Sequence, residues 1–166
     1  MPEKQNRPDE PTYLVTTYRN GQFTTEHLTR TEVLALDHSD VDFHLDDVFG
    51  HIRIRTEDGD TIGYQVEIPG VGKTTRELLL VLMGRPGELL SPLKLARLTG
   101  NTWFKTKNNV SGRLVKLRAA FRDNAQAPWF FITRRVPYSI AWSAGRSFRH
   151  IEHIVLPTDE EAKGEQ

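Results

Sequence analysis

The spacing of apolar residues changes at Pro69, and this change limits the folds that the sequence can adopt. Before Pro69 apolar and polar residues alternate, as Ile52 and Ile54 do with Arg53 and Arg55, which is the pattern of strands that bury one face. After Pro69 the apolar residues recur every three or four positions, which is the pattern of amphipathic helices. A strand-rich half followed by a helical half predicts an α+β protein.

Two hairpins are predicted in the first half. Asn20-Gly21 separates the strand-like residues 13–18 from a second run around Phe23, and Asp58-Gly59 separates Ile52 and Ile54 from the alternating residues 62–68. Both dipeptides favour the tight turns that join antiparallel strands. Residues 29–50, between the hairpins, fit either a short helix or a strand and are left open.

Two helices, the second of them short, are predicted after Pro69. The first has an apolar face between Leu78 and Met83, and Thr74 with Glu77 has the spacing of a capping box. The second begins with Ser91 as N-cap, has proline at its first position and ends at Gly100.

A longer third helix and a hairpin are predicted next. The helix runs from about Asn108 to Arg122 with an apolar stripe opposite a polar side, and residues 129–142 form an aromatic hairpin that turns through Arg134–Pro137. Together with the first two helices, this predicts a winged helix-turn-helix, a three-helix core plus a C-terminal wing hairpin, preceded by an antiparallel β-sheet of hairpins. The expected organisation is a disordered tail (1–11), a β-rich extension (12–50), a winged helix domain (51–142), and a C-terminal extension with an acidic tail (143–166).

Charge is distributed unevenly along the chain. The totals of Lys plus Arg and of Asp plus Glu are equal, at 22 each, but residues 70–150 hold 15 basic and 3 acidic residues, net +12. Residues 1–69 carry net −8 and residues 151–166 net −4. A basic module attracts polyanions, because neutralising phosphates releases condensed counterions. The alternative is that the acidic segment compensates the basic face within the fold.

Residues 51–142 resemble the effector domain of response regulators of the OmpR/PhoB type. The resemblance is carried by the hairpin with Asp58-Gly59 and by Thr75-Arg-Glu-Leu-Leu-Leu-Val-Leu-Met, Arg85-Pro-Gly-Glu-Leu-Leu-Ser91 and Asn109-Val-Ser-Gly-Arg-Leu-Val-Lys-Leu-Arg118. There are two departures from the family pattern. The family's wing has a Gly-x-Gly-Tyr turn where this chain has Arg135-Val-Pro137-Tyr138, and the residues before His51 are too few for a receiver domain. Phosphorelay control is therefore not implied.

The resemblance and the charge together predict a sequence-specific, double-stranded DNA-binding transcription regulator, with its third helix in the major groove and its wing on the backbone or minor groove. By residue type, Asn108 and Asn109 suit an adenine edge, Arg113 and Lys116 a guanine edge, and Ser111 either.

The remaining predicted contacts involve backbone approach and phosphates. Gly112 lies on the DNA side of the third helix, where it either permits close approach to the groove or is a poorly optimised exposed position. Arg134 and Arg135 are expected to reach phosphates or the minor groove, and Arg118 and Arg122 to contact phosphates without reading sequence.

An alternative function is a winged-helix protein-interaction module in a larger assembly, because a fold does not fix a function. The resemblance also implies RNA polymerase as a partner of the loop with Trp103 and Phe104, whose other interpretation is that of buried anchors. The sequence leaves the oligomeric state open, with a homodimer as one alternative.

Two segments only partly resemble ligand sites. Residues 68–75 resemble a phosphate-binding loop, but Glu67 stands where its first glycine is needed, so nucleotide binding is not predicted. Histidines and aspartates between Asp37 and His51 offer metal ligands, but Leu45 occupies the position where a calcium loop needs glycine. No metal and no cofactor is expected.

The sequence also lacks the marks of several other protein classes. No nucleophile elbow marks a catalytic set, so an enzyme is not expected. Zero cysteines, no apolar run of about 18 residues and no signal-peptide pattern favour a cytoplasmic protein without contact with a membrane.

Overall fold

The computed structural model describes residues 13–154, which form eight strands and four α-helices. The strands are β1 (Tyr13–Arg19), β2 (Gln22–Leu28), β3 (Phe43–Asp46), β4 (His51–Arg55), β5 (Thr61–Gln65), β6 (Phe131–Arg135), β7 (Tyr138–Trp142) and β8 (Phe148–His153). The helices are α1 (Arg30–Leu34), α2 (Lys73–Gly84), α3 (Pro92–Thr99) and α4 (Lys107–Phe121). The predicted N-terminal tail, 1–11, and the last part of the predicted C-terminal segment, 155–166, lie outside the described residues.

The strands form one large and one small sheet. The large sheet has the order β2-β1-β8-β3-β4-β5, in which β3 and β8 are parallel and all other neighbours are antiparallel. The small sheet is the antiparallel pair β6-β7, to which Leu90 adds an isolated bridge opposite Ile140.

The predicted architecture, a winged helix-turn-helix preceded by an antiparallel sheet of hairpins, is therefore wrong, although the class is α+β. The large sheet is mixed, its strands dominate the N-terminal half, and helices α2–α4 share one hydrophobic core with it. The difference arises from β8, which inserts between β1 and β3 and buries Phe148 on one face and Ile151 on the other. The other positions of β8 are polar, so its sequence does not predict a strand in the interior of a sheet.

The two faces of the large sheet have different neighbours. The helix-side face carries Phe43, Leu45, Ile52 and Ile54 in the core shared with α2–α4. The α1-side face carries the alternate residues, and α1 covers part of it where Val33 packs on Val15 and Ile151. Side chains on adjacent positions of a strand point to opposite faces, which fixes this division.

Phe121, the last residue of α4, lies at the centre of the shared core. It is fully buried and joins the sheet, α4 and the β6–β7 hairpin through aromatic contacts. The ring centroids around it are those of Phe43 at 4.8 Å, Phe130 and Phe131 at 5.0 Å, and Trp142 at 6.2 Å.

The helix boundaries confirm some predicted caps and correct others. Ser91 Oγ accepts a hydrogen bond from the Lys94 N–H at 3.1 Å, as expected of the N-cap of α3. The capping box at Thr74 is wrong, because α2 begins after Gly72 without a side-chain cap, and Glu77 instead accepts from Asn101 Nδ2 at 3.1 Å.

The segment left open between the hairpins contains both a helix and a strand. Thr29 and Glu32 form a reciprocal capping box at the start of α1, and β3 follows at Phe43. The first hairpin is confirmed, with Asn20 at φ 55° and Gly21 at φ 77°. The second ends earlier than predicted, because Val66 has a φ of 72° and β5 stops at Gln65.

His44 is a buried histidine at the centre of the sheet, on the α1-side face. Its side chain is fully buried, and neither ring nitrogen has a hydrogen-bond partner. The ring of His38 stacks on it at a centroid distance of 4.1 Å. Burial, together with the positive charges nearby, lowers the pKa of His44 to about 3.

Because His44 is buried and neutral, we expect the folded protein to lose stability in acid. An unfolded histidine takes up a proton near its ordinary pKa of 6.5, whereas folded His44 resists protonation down to about 3, so its contribution to stability is present above pH 6.5 and is lost as the pH falls between these values. We expect a loss of up to about 1.4 kcal/mol per pH unit, or about 2 kcal/mol at pH 5. Urea unfolding of wild type and His44→Leu at pH 7.5 and at pH 5 measures this loss of unfolding free energy. Equal pH dependence in both proteins would contradict the prediction.

Candidate nucleic-acid interface

Cations dominate the part of the chain that contains α4 and the β6–β7 hairpin. Residues 101–150 contain ten Lys or Arg and a single acid, Asp123. The Asp123 carboxylate accepts hydrogen bonds from the backbone N–H groups of Trp129, Phe130 and Phe131, at 2.7, 3.2 and 2.9 Å. This region therefore offers no uncommitted carboxylate to neutralise its cations.

Five cations elsewhere in the basic module, residues 70–150, are paired with carboxylates, whereas Lys73 and Arg97 form no salt bridge with residues 13–154. Arg76 pairs with Asp47, Arg85 and Lys94 share Glu88, and at the start of β8 Arg149 pairs with Asp40. In contrast, eight cations in the loop before α4, in α4 with its C-cap, and in β6 form no salt bridge with any carboxylate of residues 13–154. They are Lys105, Lys107, Arg113, Lys116, Arg118, Arg122, Arg134 and Arg135.

The exposed line of α4 consists of small and polar side chains. Asn108, Gly112, Lys116 and Ala119 are exposed at spacings of three and four residues, with Val115 beside them at 66% exposure. The opposite line is buried in the shared core and consists of Val110, Leu114, Leu117 and Phe121. The hydrophobic stripe thus sets which side of α4 is presented outward.

Three of the predicted base readers already have partners within the protein. Asn109 Nδ2 donates to the Trp103 carbonyl oxygen at 2.7 Å, and Ser111 Oγ donates to the Asn108 carbonyl oxygen at 3.2 Å. The Arg113 guanidinium lies over the Trp103 ring at 5.1 Å. Asn108 and Lys116 are the exposed members of the predicted set.

The two arginines in the last turns of α4 have different surroundings. Arg118 Nη2 donates to the Phe131 carbonyl oxygen and to Thr133 Oγ1, both at 2.8 Å, and burial lowers its pKa. It therefore links α4 to β6. Arg122 caps α4 in a left-handed conformation and lines a cleft with Glu57 and Asp58, so it lies beside an acidic loop.

The hairpin presents its arginines on opposite faces. Arg135 pairs with Tyr138 and Arg134 with Ser139, and residues paired across antiparallel strands lie on the same face. Lys107 Nζ lies 5.4 Å from the centroid of the Tyr138 ring, so the face of Arg135 adjoins the start of α4. The turn is shorter than predicted: it contains only Val136 and Pro137, joined by a cis peptide bond, and both arginines belong to β6.

Sequence reasoning missed Lys105 and Lys107. The helix was expected to begin at Asn108, but Thr106 is the N-cap and Lys107 the first helical residue. A lysine on each side of a threonine that can cap a helix was the available signal. We call the exposed cations Lys105, Lys107, Lys116, Arg134 and Arg135, with the exposed line of α4, the basic surface.

The loop before α4 contains one buried and one exposed aromatic residue. Phe104 is fully buried, as expected of an anchor, whereas Trp103 is 39% exposed. The phosphate-loop-like segment leads into α2, which begins at Lys73. Within residues 13–154, no group of three metal-ligating side chains is placed to hold an ion. Nor is any helix of this range long and apolar enough to cross a membrane.

Comparison with protein-family models finds no match for the chain, and comparison with curated proteins finds none either. The resemblance to OmpR/PhoB-type effector domains stays a prediction.

Proposed function

We propose that this protein is a sequence-specific, double-stranded DNA-binding transcription regulator acting in the cytoplasm. The exposed line of α4 enters the major groove, and the β6–β7 hairpin contacts the adjacent backbone or minor groove. The observation that carries this proposal is the basic surface, in which unpaired cations surround a helix side of small and polar residues. Unpaired cations attract phosphates because the counterions released from DNA supply binding free energy.

The dimensions of α4 suit the major groove. An α-helix with its side chains is about 10–12 Å across, and the major groove is about 12 Å wide. Gly112 and Ala119 bring little bulk, so the backbone of α4 can lie close to the base edges. Asn108 then suits an adenine edge and Lys116 a guanine edge, and Val115 can touch a thymine methyl group.

Arg118 is assigned a positioning role. Its hydrogen bonds to β6 set the hairpin relative to α4, and this spacing decides whether helix and hairpin reach one duplex together. Arg134 and Arg135 supply the phosphate contacts, which orient the protein without reading sequence.

Selection of bound sequences from random duplexes tests this function directly. We expect wild type to enrich a defined motif and Lys116→Ala to relax preference at one position, since a base contact contributes about 1–3 kcal/mol of discrimination. Lys94→Ala, which removes a cation paired with Glu88, is the matched control and should keep the motif. Failure to retain any duplex, with binding only to proteins, would contradict the proposal.

Gly112 offers a test in which stability and affinity change in opposite directions. A Cβ added at Gly112 meets no atom within 4 Å, so Gly112→Ala is expected to stabilise the protein by about 1 kcal/mol through helix propensity. If α4 lies deep in the groove, the added methyl group should weaken DNA binding. Thermal unfolding and fluorescence anisotropy with the selected duplex measure both effects.

The control for this test is Gly84→Ala at the end of α2, where an added Cβ also has free space. It should leave DNA affinity unchanged. Affinity that rises with stability in Gly112→Ala would show that α4 does not approach DNA closely.

A further inference from the structure

A groove crosses the α1-side face of the large sheet, where α1 does not cover it. It has a volume of about 540 Å³ and is lined by His38, His51, Arg53, Thr61, Gly63 and Gln65, among others. Strands β4 and β5 form its floor, on which His51 pairs with Gln65 and Arg53 with Gly63. This face is opposite to the one that packs against α2–α4.

Arg53 lines the groove and has no counter-ion among residues 13–154. It is half-buried, and it forms no salt bridge and no side-chain hydrogen bond with any residue between 13 and 154. Its guanidinium nitrogens are not among the buried atoms that lack a partner, so their five N–H donors are open to solvent or to a ligand. Arginine is also the side chain best suited to hold an oxyanion with two parallel hydrogen bonds.

Gly63 leaves space beside Arg53. It is the residue opposite Arg53 on β5, and a Cβ built there would meet only the Ile52 carbonyl oxygen at 4.0 Å. Glycine is disfavoured inside a strand, where it commonly marks close approach of a ligand or backbone. The groove therefore has free volume next to its unpaired cation.

Two further donors border the same space. The rings of His38 and His51 are 5.4 Å apart at their centroids. Burial and the neighbouring His51 and Arg53 lower the pKa of His38, and the opposing effect of the Asp46 carboxylate is smaller. Behind His38 lies His44, fully buried, with both ring nitrogens unpartnered.

Two carboxylates on the same side of the sheet have hydrogen-bond partners outside the groove lining. Asp40 binds both terminal nitrogens of Arg149, at 2.6 and 2.8 Å. Asp46 Oδ1 accepts from the backbone N–H groups of Val48 and Phe49, at 2.8 and 2.9 Å.

We propose that this groove binds a small organic oxyanion, a carboxylate or a phosphate ester, held by the Arg53 guanidinium with His38 and His51 as further donors. Gly63 provides the room for the ligand. The site goes beyond the proposed DNA-binding function and does not depend on it, because it is built from β4, β5 and the turn at His38 alone.

Calorimetric titration of the full chain near neutral pH tests the site. Inorganic phosphate and succinate are the two probes, each at an ionic strength kept constant with sodium chloride. We expect saturable binding of at least one probe, with the dissociation constant raised about tenfold or more by Arg53→Gln, which removes a charged hydrogen bond. Binding of phosphate alone indicates a phosphoryl ligand, and binding of succinate alone a carboxylate.

Gly63→Val fills the groove without removing a charge, and valine suits a strand, so it should also abolish binding while the protein stays folded. Should this variant fail to fold, His51→Gln is the second test and should weaken binding. The Arg134→Ala/Arg135→Ala variant is the control for phosphate bound at the basic surface and should bind both probes as wild type does.

Absence of saturable binding of both probes up to about 50 mM would overturn the proposal. So would equal affinity in wild type and Arg53→Gln, or loss of binding in the Arg134→Ala/Arg135→Ala control. Failure of DNA binding alone would leave the oxyanion site standing.

Discussion

Replacing Arg134 and Arg135 together with alanine is expected to weaken binding to all duplexes by about 60-fold at 0.1 M salt. The two guanidinium groups form no salt bridge with described residues, so their loss removes two phosphate contacts without freeing a carboxylate. Each phosphate contact contributes about 0.9 to the magnitude of the slope of log affinity against log salt concentration. If wild type and variant bind equally at 1 M salt, losing two contacts makes the variant about 60-fold weaker at 0.1 M. Sequence preference should stay as in wild type, because phosphate contacts do not read bases.

Fluorescence anisotropy across a salt series measures both quantities. The slope should fall in magnitude by about 1.8. The matched control is Arg85→Ala with Lys94→Ala, which removes the same formal charge from two cations already paired with Glu88, and it should change affinity little. Wild-type affinity and slope in the Arg134/Arg135 variant would exclude the hairpin from the interface.

Phe121→Ala is expected to destabilise the protein by about 3–5 kcal/mol, the usual cost of emptying a large buried aromatic site. Phe121 is fully buried and contacts rings from β3, β6, β7 and the segment before β6. The large sheet and the helices share this core, so both should lose stability in a single transition.

Urea unfolding followed by tryptophan fluorescence and by far-ultraviolet circular dichroism tests this prediction, because Trp142 lies in the same core. The two midpoints should shift together. Phe23→Ala provides the control, since Phe23 is 46% exposed, and it should cost no more than about 1 kcal/mol. A fluorescence transition that separates from the circular dichroism transition would show that sheet and helices unfold independently.

Local features of the fold were predictable because their causes are local. The Asn20-Gly21 turn, the alternation along β4 and the Ser91 cap each depend on residues within a few positions. The position of β8 was not predictable, because its polar side chains pair with residues far away in the sequence. Arg149 reaches Asp40, and His150 reaches Asp47.

The same distinction applies to the basic surface. The excess of cations and the apolar stripe of α4 are properties of the sequence itself, and they identified the helix side that carries Asn108 and Lys116. Which cations are uncommitted depends on folding. Arg118 is held by β6 and Arg113 by Trp103, and neither contact can be predicted from composition.

The place of β8 has a consequence for how the protein is made. Among the described strands, β8 alone joins the hairpin of β1 and β2 to the rest of the large sheet, yet about 120 residues separate the end of β2 from the end of β8. At about 5–20 residues per second, a ribosome needs roughly 6–24 s to cover that distance. For that time the β1 edge that later pairs with β8 has no partner strand, and an unpaired strand edge is a template for pairing with other chains.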